Sequence, residues 1–267
     1  MCLIAFAIGA SKRWPLVVAA NRDEFLDRPT LPLARWHTTA GTEIFSGRDI
    51  RAGGTWMGLT AAGRIAMLTN VRGPASLTGD RSRGELVTRW LDSETDATVF
   101  MAEIDGGVYG GFNLVLGDFK TSAWHWLSNQ PGPGLESRAL QPGVYGLSNG
   151  ALDTPWPKTL GLKKALHSAL QAPDVATLEK DLMAALRDRR RADRENLPST
   201  GVPLALEEAL SSAFVDFPEH GYGTRCSTAL VASAVADGWD IALQEVSHAH
   251  GEVATPGTQN VRLHWQI

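Results

Sequence analysis

Cys2 is the residue with the most chemistry available to it. Methionine aminopeptidases remove an initiator Met when the next side chain is small, and cysteine qualifies. Loss of Met1 would leave Cys2 with both a thiol and a free α-amine. The amine titrates at about pH 8, within range to take the thiol proton, so one residue would hold nucleophile and base. Asn21, Arg22, Asp23 and Glu24 follow the apolar run 15–20 (PLVVAA). Four polar residues there are costly unless they face water or pair with one another. They read either as a hairpin-end turn with local side-chain bonds or as the mouth of a site, with Arg22 an anion or carboxylate clamp. Asn70 and Asn149 each end an apolar run, at LTN and LSN. An Asn amide in such a place can donate to a developing oxyanion, or it can start a turn. Arg225 opens another apolar run (RCSTALV). Strict alternation sends Arg225 and Ser227 to one face and Cys226 to the other, so Cys226 is expected to be a buried apolar residue rather than a partner for Cys2.

Other clusters carry less. His248 and His250 share a face at strand spacing but lack a third metal ligand, and read as an exposed strand end. Gly53-Gly54 is no phosphate loop, since no Lys-Ser/Thr follows; it reads as a place where backbones pass closely. Trp124 and Trp126 are explained by core packing. The acidic residues show no spacing for calcium or a paired-metal site, so no metal is expected. The charged run 187–195 (RDRRRADRE) reads as a solvated helix end.

These positions must be held by strands. Runs 2–8 and 15–20 predict one hairpin, 53–60 with 63–70 a second, and 110–118 with 121–129 a third. Runs 144–149, 227–235, 239–247 and 260–267 complete the strands. Helices are predicted over 84–92, 97–105 and 203–214, and over 158–194, where leucines recur at three- and four-residue spacing. Gln171-Ala172-Pro173-Asp174 divides that last stretch, with Asp174 as a cap. The order predicts an α+β fold in which two sheets pack face to face with helices outside. No linker or repeat interrupts the chain, so residues 1–267 are expected to form a single domain.

Composition sets outer bounds. The chain of 267 residues is 43% hydrophobic and 20% charged, which excludes a disordered chain and a coiled coil. Its net charge of −4 gives no electrostatic footprint for nucleic acid. No apolar run reaches the ~20 residues of a membrane span. Run 2–10 has its charges after it rather than before, the wrong order for a secretory signal. Two cysteines make no disulfide scaffold, so a reducing, cytoplasmic setting is expected.

The Met-Cys start, AANRDEFLDRP (19–29), SGRDIRAGGTWMGL (46–59), LTN (68–70), RGELVT (83–88), GLSNG (146–150) and YGTRCSTALV (222–231) resemble the NRDE family, also called the transport-and-Golgi-organisation family. That family is more remotely similar to N-terminal-nucleophile hydrolases of the bile-salt-hydrolase and penicillin-V-acylase type. The resemblance implies a four-layer αββα sandwich and cleavage of an amide bond. It implies Cys2 as nucleophile, Asn70 and Asn149 around the oxyanion hole, and Arg225 as the late arginine of the site, with Asn21 to Glu24 binding substrate. The acylase pattern Arg-x-x-Asp is met here by Asn21 and Glu24, with Arg22 and Asp23 between them. Two functions of different class follow: a cysteine amidohydrolase acting on a small molecule, with no cofactor required, and a non-catalytic handler of a hydrophobic anionic ligand, haem or acyl-CoA.

Overall fold

A computed structural model describes residues 2–73, 79–130, 132, 134–249 and 256–266. The chain forms two compact units. The first joins Met1–Asp27 to Pro142–Gln266, and the second is Arg28–Gln141. The first unit is therefore built from both ends of the chain. The junctions are short, with strands on either side, which is why the sequence carries no linker signature there.

In chain order the strands are β1 (Cys2–Ile8), β2 (Leu16–Phe25), β3 (Thr30–His37), β4 (Glu43–Asp49), β5 (Met57–Thr60), β6 (Arg64–Asn70), β7 (Phe112–Asp118), β8 (Ala123–Ser128), β9 (Glu136–Ala139), β10 (Gly143–Leu147), β11 (Asp216–Phe217), β12 (Tyr222–Val235), β13 (Gly238–Ser247) and β14 (Gly257–Gln266). The helices are α1 (Gly84–Asp92), α2 (Ala97–Ala102), α3 (Pro157–Ala169), α4 (Val175–Leu186) and α5 (Leu204–Ala209).

The first unit holds an antiparallel sheet in the order β10-β1-β2-β12-β13-β14, with β11 paired to β12. One face packs on α3 and α4. Leu3, Ala5 and Ala7 of β1, Val17 and Ala19 of β2, and Ala229 and Val231 of β12 meet Leu162, Leu166, Leu178, Leu182 and Leu186. Small residues on the strands let the helices sit close, and the leucines fill the space. Each fully buried leucine stabilises the fold by about 1.5–3 kcal/mol. The leucine spacing foretold this face with one exception, Leu160, which is 51% exposed. Asp174 caps α4 as expected, accepting from the Thr177 amide at 2.7 Å.

The second unit is a meander, β3 through β9 in sequence order. Helix α1 lays Leu86, Val87, Trp90 and Leu91 against one face, with Phe100 of α2 beside them. Gly54 and Gly84 explain each other here. A Cβ on Gly54 would lie 2.6 Å from the Gly84 carbonyl carbon, and one on Gly84 would lie 3.1 Å from the Thr55 oxygen. The expected close backbone passage at Gly53-Gly54 is this contact.

Strands β3, β4, β9 and β11 were not foreseen. β3 and β9 are edge strands with mostly exposed residues, so neither shows a two-sided apolar run. Among the described residues no helix is long and apolar enough to cross a membrane.

Candidate active site

Cys2 opens β1, and the ladder names its neighbours. It lies opposite Arg22 on β2. Arg22 lies opposite Cys226 on β12, and Cys226 opposite Ser247 on β13. On the other side the β1–β10 ladder ends at Ile4 and Leu147, and past it Ser148 reaches the Cys2 carbonyl through its side chain. Residues directly opposed in antiparallel strands share a face. A row of Cys2, Arg22 and Cys226 therefore crosses the sheet on the face turned away from α3 and α4, with Asn149 following the end of the neighbouring β10.

Cys226 is buried and unbonded to Cys2, as expected, but the face expected for it is overturned. Alternation counted from Arg225 sends it away from Cys2, but the register shifts between Thr224 and Cys226. Arg225 is the extra residue of a β-bulge, and Cys226 returns to the Cys2 face. Two strand spacings, about 9–10 Å, still separate the two thiols' strands, too far for a disulfide. Both are free.

The polar run does not end β2, as expected, but continues inside it to Phe25. Its members are shared between the two faces. Arg22 and Glu24 lie on the Cys2 face, with Arg22 Nη2 3.6 Å from Glu24 Oε2 and side-chain exposures of 4% and 19%. Asn21 and Asp23 lie on the helix face, so the run is not one substrate-binding patch. Asn21 Nδ2 donates to the carbonyls of Leu186 and Ala213, each at 2.8 Å. Asn21 Oδ1 accepts from Ser227 Oγ at 2.6 Å, and Ser227 Oγ lies 2.8 Å from His248 Nε2. Since Ser227 gives its one proton to Asn21, His248 must donate through Nε2–H. His248 also packs edge-on against Phe214 at 4.8 Å; half-buried and hydrogen-bonded, it is not the exposed strand end expected. His250 lies outside the described residues. Asp23 Oδ1 accepts from Thr224 Oγ1 at 2.7 Å, and the Asp23 carbonyl accepts from the Tyr222 hydroxyl at 2.8 Å.

Arg225 closes the far end of β2: its Nη1 donates to the carbonyls of Phe25 and Leu26 at 2.8 and 3.0 Å. Burial and the nearby Arg22 charge lower its pKa. Asn149 is fully buried. Its neighbour Ser148 donates from Oγ toward the Cys2 carbonyl at 3.1 Å, and lies 3.3 Å from Asn149 Oδ1. Asn70 belongs to the second unit. It ends β6 opposite Phe112 and, by alternation, on the face of Leu68 that carries α1.

Burial dominates at both thiols. It raises the Cys2 pKa above its ordinary value, opposed first by the positive amino terminus and then by Arg22, with the Asp23 and Glu24 charges adding to it. Cys226 is pushed well above its ordinary value, by burial first and then by Glu245. Glu245 is 3% exposed and accepts from Thr228 Oγ1 at 3.5 Å. A buried thiol with so high a pKa needs a base at hand before it attacks anything. Ser148 and Glu245 were missed at the sequence level. The signal for Glu245 was an acid within the largely apolar run of β13, which it shares with Asp240. Among the described residues no group of three or more His, Cys, Asp and Glu could hold a metal.

Over residues 1–237 the chain matches the family described as transport and Golgi organisation 2. A human protein, the transport and Golgi organization protein 2 homolog, is 32% identical over 254 residues, 88% of this chain and 89% of its own. The Drosophila melanogaster transport and Golgi organization protein 2 is 29% identical over 257 residues, 88% of each chain. Among solved structures, a Caenorhabditis elegans N-acylethanolamine-hydrolyzing acid amidase ortholog superposes with a TM-score of 0.52 at 12% identity, covering 86% of this chain and 92% of its own. That likeness is one of fold: α+β, of the N-terminal-nucleophile hydrolase type, as expected.

Proposed function

The chain belongs to the transport and Golgi organisation 2 family, and from that premise we propose that Cys2 is the nucleophile of a hydrolase acting on an amide or acyl bond of a small molecule. The observation that carries this reading is a cysteine at the first position of a buried strand, with a guanidinium opposite it and the buried Asn149 tied to its other side through Ser148. Removal of Met1 exposes the Cys2 α-amine, which takes the thiol proton. The thiolate adds to the carbonyl carbon, and the carbon–oxygen double bond becomes an oxyanion. Asn149 is the donor on hand for that oxyanion. Collapse expels the amine or alcohol, which leaves with the proton from the α-amine. Water then cleaves the thioester and returns the thiol. The fold neighbour's printed activity, hydrolysis of N-acylethanolamines, supports an amide as the bond class here.

The test is direct. Protein from its own host should begin at Cys2 by intact mass, and p-nitrophenyl acetate should acylate it there, shown as a stable mass adduct on Cys2 or a burst of p-nitrophenolate. Cys2→Ala should abolish acylation while costing only about 1 kcal/mol of stability. Full retention of Met1 in host protein would overturn the reading.

A second reading is favoured by Arg22, a guanidinium only 4% exposed on the Cys2 face. A carrier of an anionic hydrophobic ligand, haem or acyl-CoA, would use it to grip carboxylate or phosphate. Arg22→Ala would then weaken binding by about 1.5–3 kcal/mol, and Cys2→Ala would leave it unchanged. Titration calorimetry separates the two readings.

A further inference from the structure

Ser148 has no role in what has been described, yet it touches both ends of the proposed chemistry. The backbone ladder between β1 and β10 stops at Ile4 and Leu147. Beyond it, Cys2 has a backbone partner on the β2 side, at Arg22. On the β10 side a side chain takes over, as Ser148 Oγ donates to the Cys2 carbonyl at 3.1 Å. The same oxygen lies 3.3 Å from Asn149 Oδ1. Ser148 is 3% exposed and Asn149 fully buried, so water does not compete for either contact.

One hydroxyl proton shared between two acceptors does two things. It ties the start of β1, where the nucleophile sits, to the residue beside it. It also fixes which end of the Asn149 amide is oxygen: the Oδ1 turns toward Ser148, so the NH2 group turns to the opposite side, as a donor. We propose that Ser148 is a positioning residue that sets the Asn149 amide, relative to Cys2, as an oxyanion donor. This rests on the reading of Cys2 as a nucleophile.

The proposal separates two reactions of one thiol. Alkylation by iodoacetamide forms a carbon–sulfur bond at a saturated carbon, expels iodide and builds no oxyanion. Acylation by p-nitrophenyl acetate forms the same bond at a carbonyl carbon, passes through an oxyanion and expels p-nitrophenolate. Only the second needs a correctly turned amide. The experiment measures both rates on mature wild-type protein and on Ser148→Ala and Ser148→Thr, with Cys226→Ala in all three so that one thiol reports.

Ser148→Ala should slow acylation about tenfold, less than the loss of a whole oxyanion donor, and leave alkylation within about twofold. Ser148→Thr, which keeps the hydroxyl, should restore acylation. An equal fall in both rates would mean that Ser148 only holds β1 in place, and would overturn the proposal. So would an unchanged acylation rate. A wild-type Cys2 that is alkylated but never acylated would instead defeat the hydrolase reading, and the Ser148 role with it.

Discussion

At the scale of single residues, the polar run of β2 divides its labour by face. Asn21 is a strut: one amide group satisfies two carbonyls and, through Ser227, orients a histidine. Asn21→Ala would leave these groups unmatched in a place that is 1% exposed. The expected loss is about 2–4 kcal/mol, read from urea unfolding, because buried orphaned groups keep their desolvation cost. Arg22 is the member that faces Cys2. The sequence had marked the whole run for one site, since four adjacent polar letters carry no record of which face each takes. Only the strand's continuation to Phe25 settles that. The thiols and Tyr222 set the alkaline limit. Burial raises Cys2, Cys226 and Tyr222 above their ordinary values of 9.0, 9.0 and 10.0. A group with a raised folded-state pKa stabilises fully below its unfolded value, and that contribution disappears as pH climbs through the folded one. Stability should hold up to about pH 9 and fall above it. Cys226→Ala should make the fall shallower, as followed by urea midpoints across the alkaline range.

At the scale of elements, two devices aim the site. The bulge at Arg225 adds one residue to β12 and so returns Cys226 to the Cys2 row. The Arg225 side chain then reaches back to hold the end of β2. Arg225→Ala should cost about 1 kcal/mol, at the low end for charged hydrogen bonds because the group is half-exposed. A bulge is invisible to period-two counting, and this is why Cys226 was expected on the wrong face. The apolar strands and the leucine-spaced helices were legible, because burial on one face demands a regular period. The edge strands β3 and β9 were not, because solvent lets their residues vary. In the second unit the motifs AGGTW and RGELV are two halves of one contact. Gly54→Ala would drive a methyl group into the backbone at Gly84. Backbone cannot rotate aside as a side chain can, so about 2–3 kcal/mol of destabilisation is expected, measurable as a lowered Tm.

At the scale of the whole molecule, the first unit is assembled from Met1–Asp27 and Pro142–Gln266, while the second is contiguous. That arrangement left no trace in composition, since each junction is a short step between strands. It has a consequence in time. The hairpin of β1 and β2 is among the first segments to leave the ribosome, but its central partner β12 begins at Tyr222. At ~5–20 residues per second, β2 waits roughly 10–45 s with one edge bare. The contiguous middle unit can close during that interval. Cys2 ends only 8% exposed, whereas during that wait the hairpin that carries it still lacks its neighbour β12. The trimming proposed for Met1 would then compete with closure of the sheet, and the pace of translation between the two segments would set how long that window stays open.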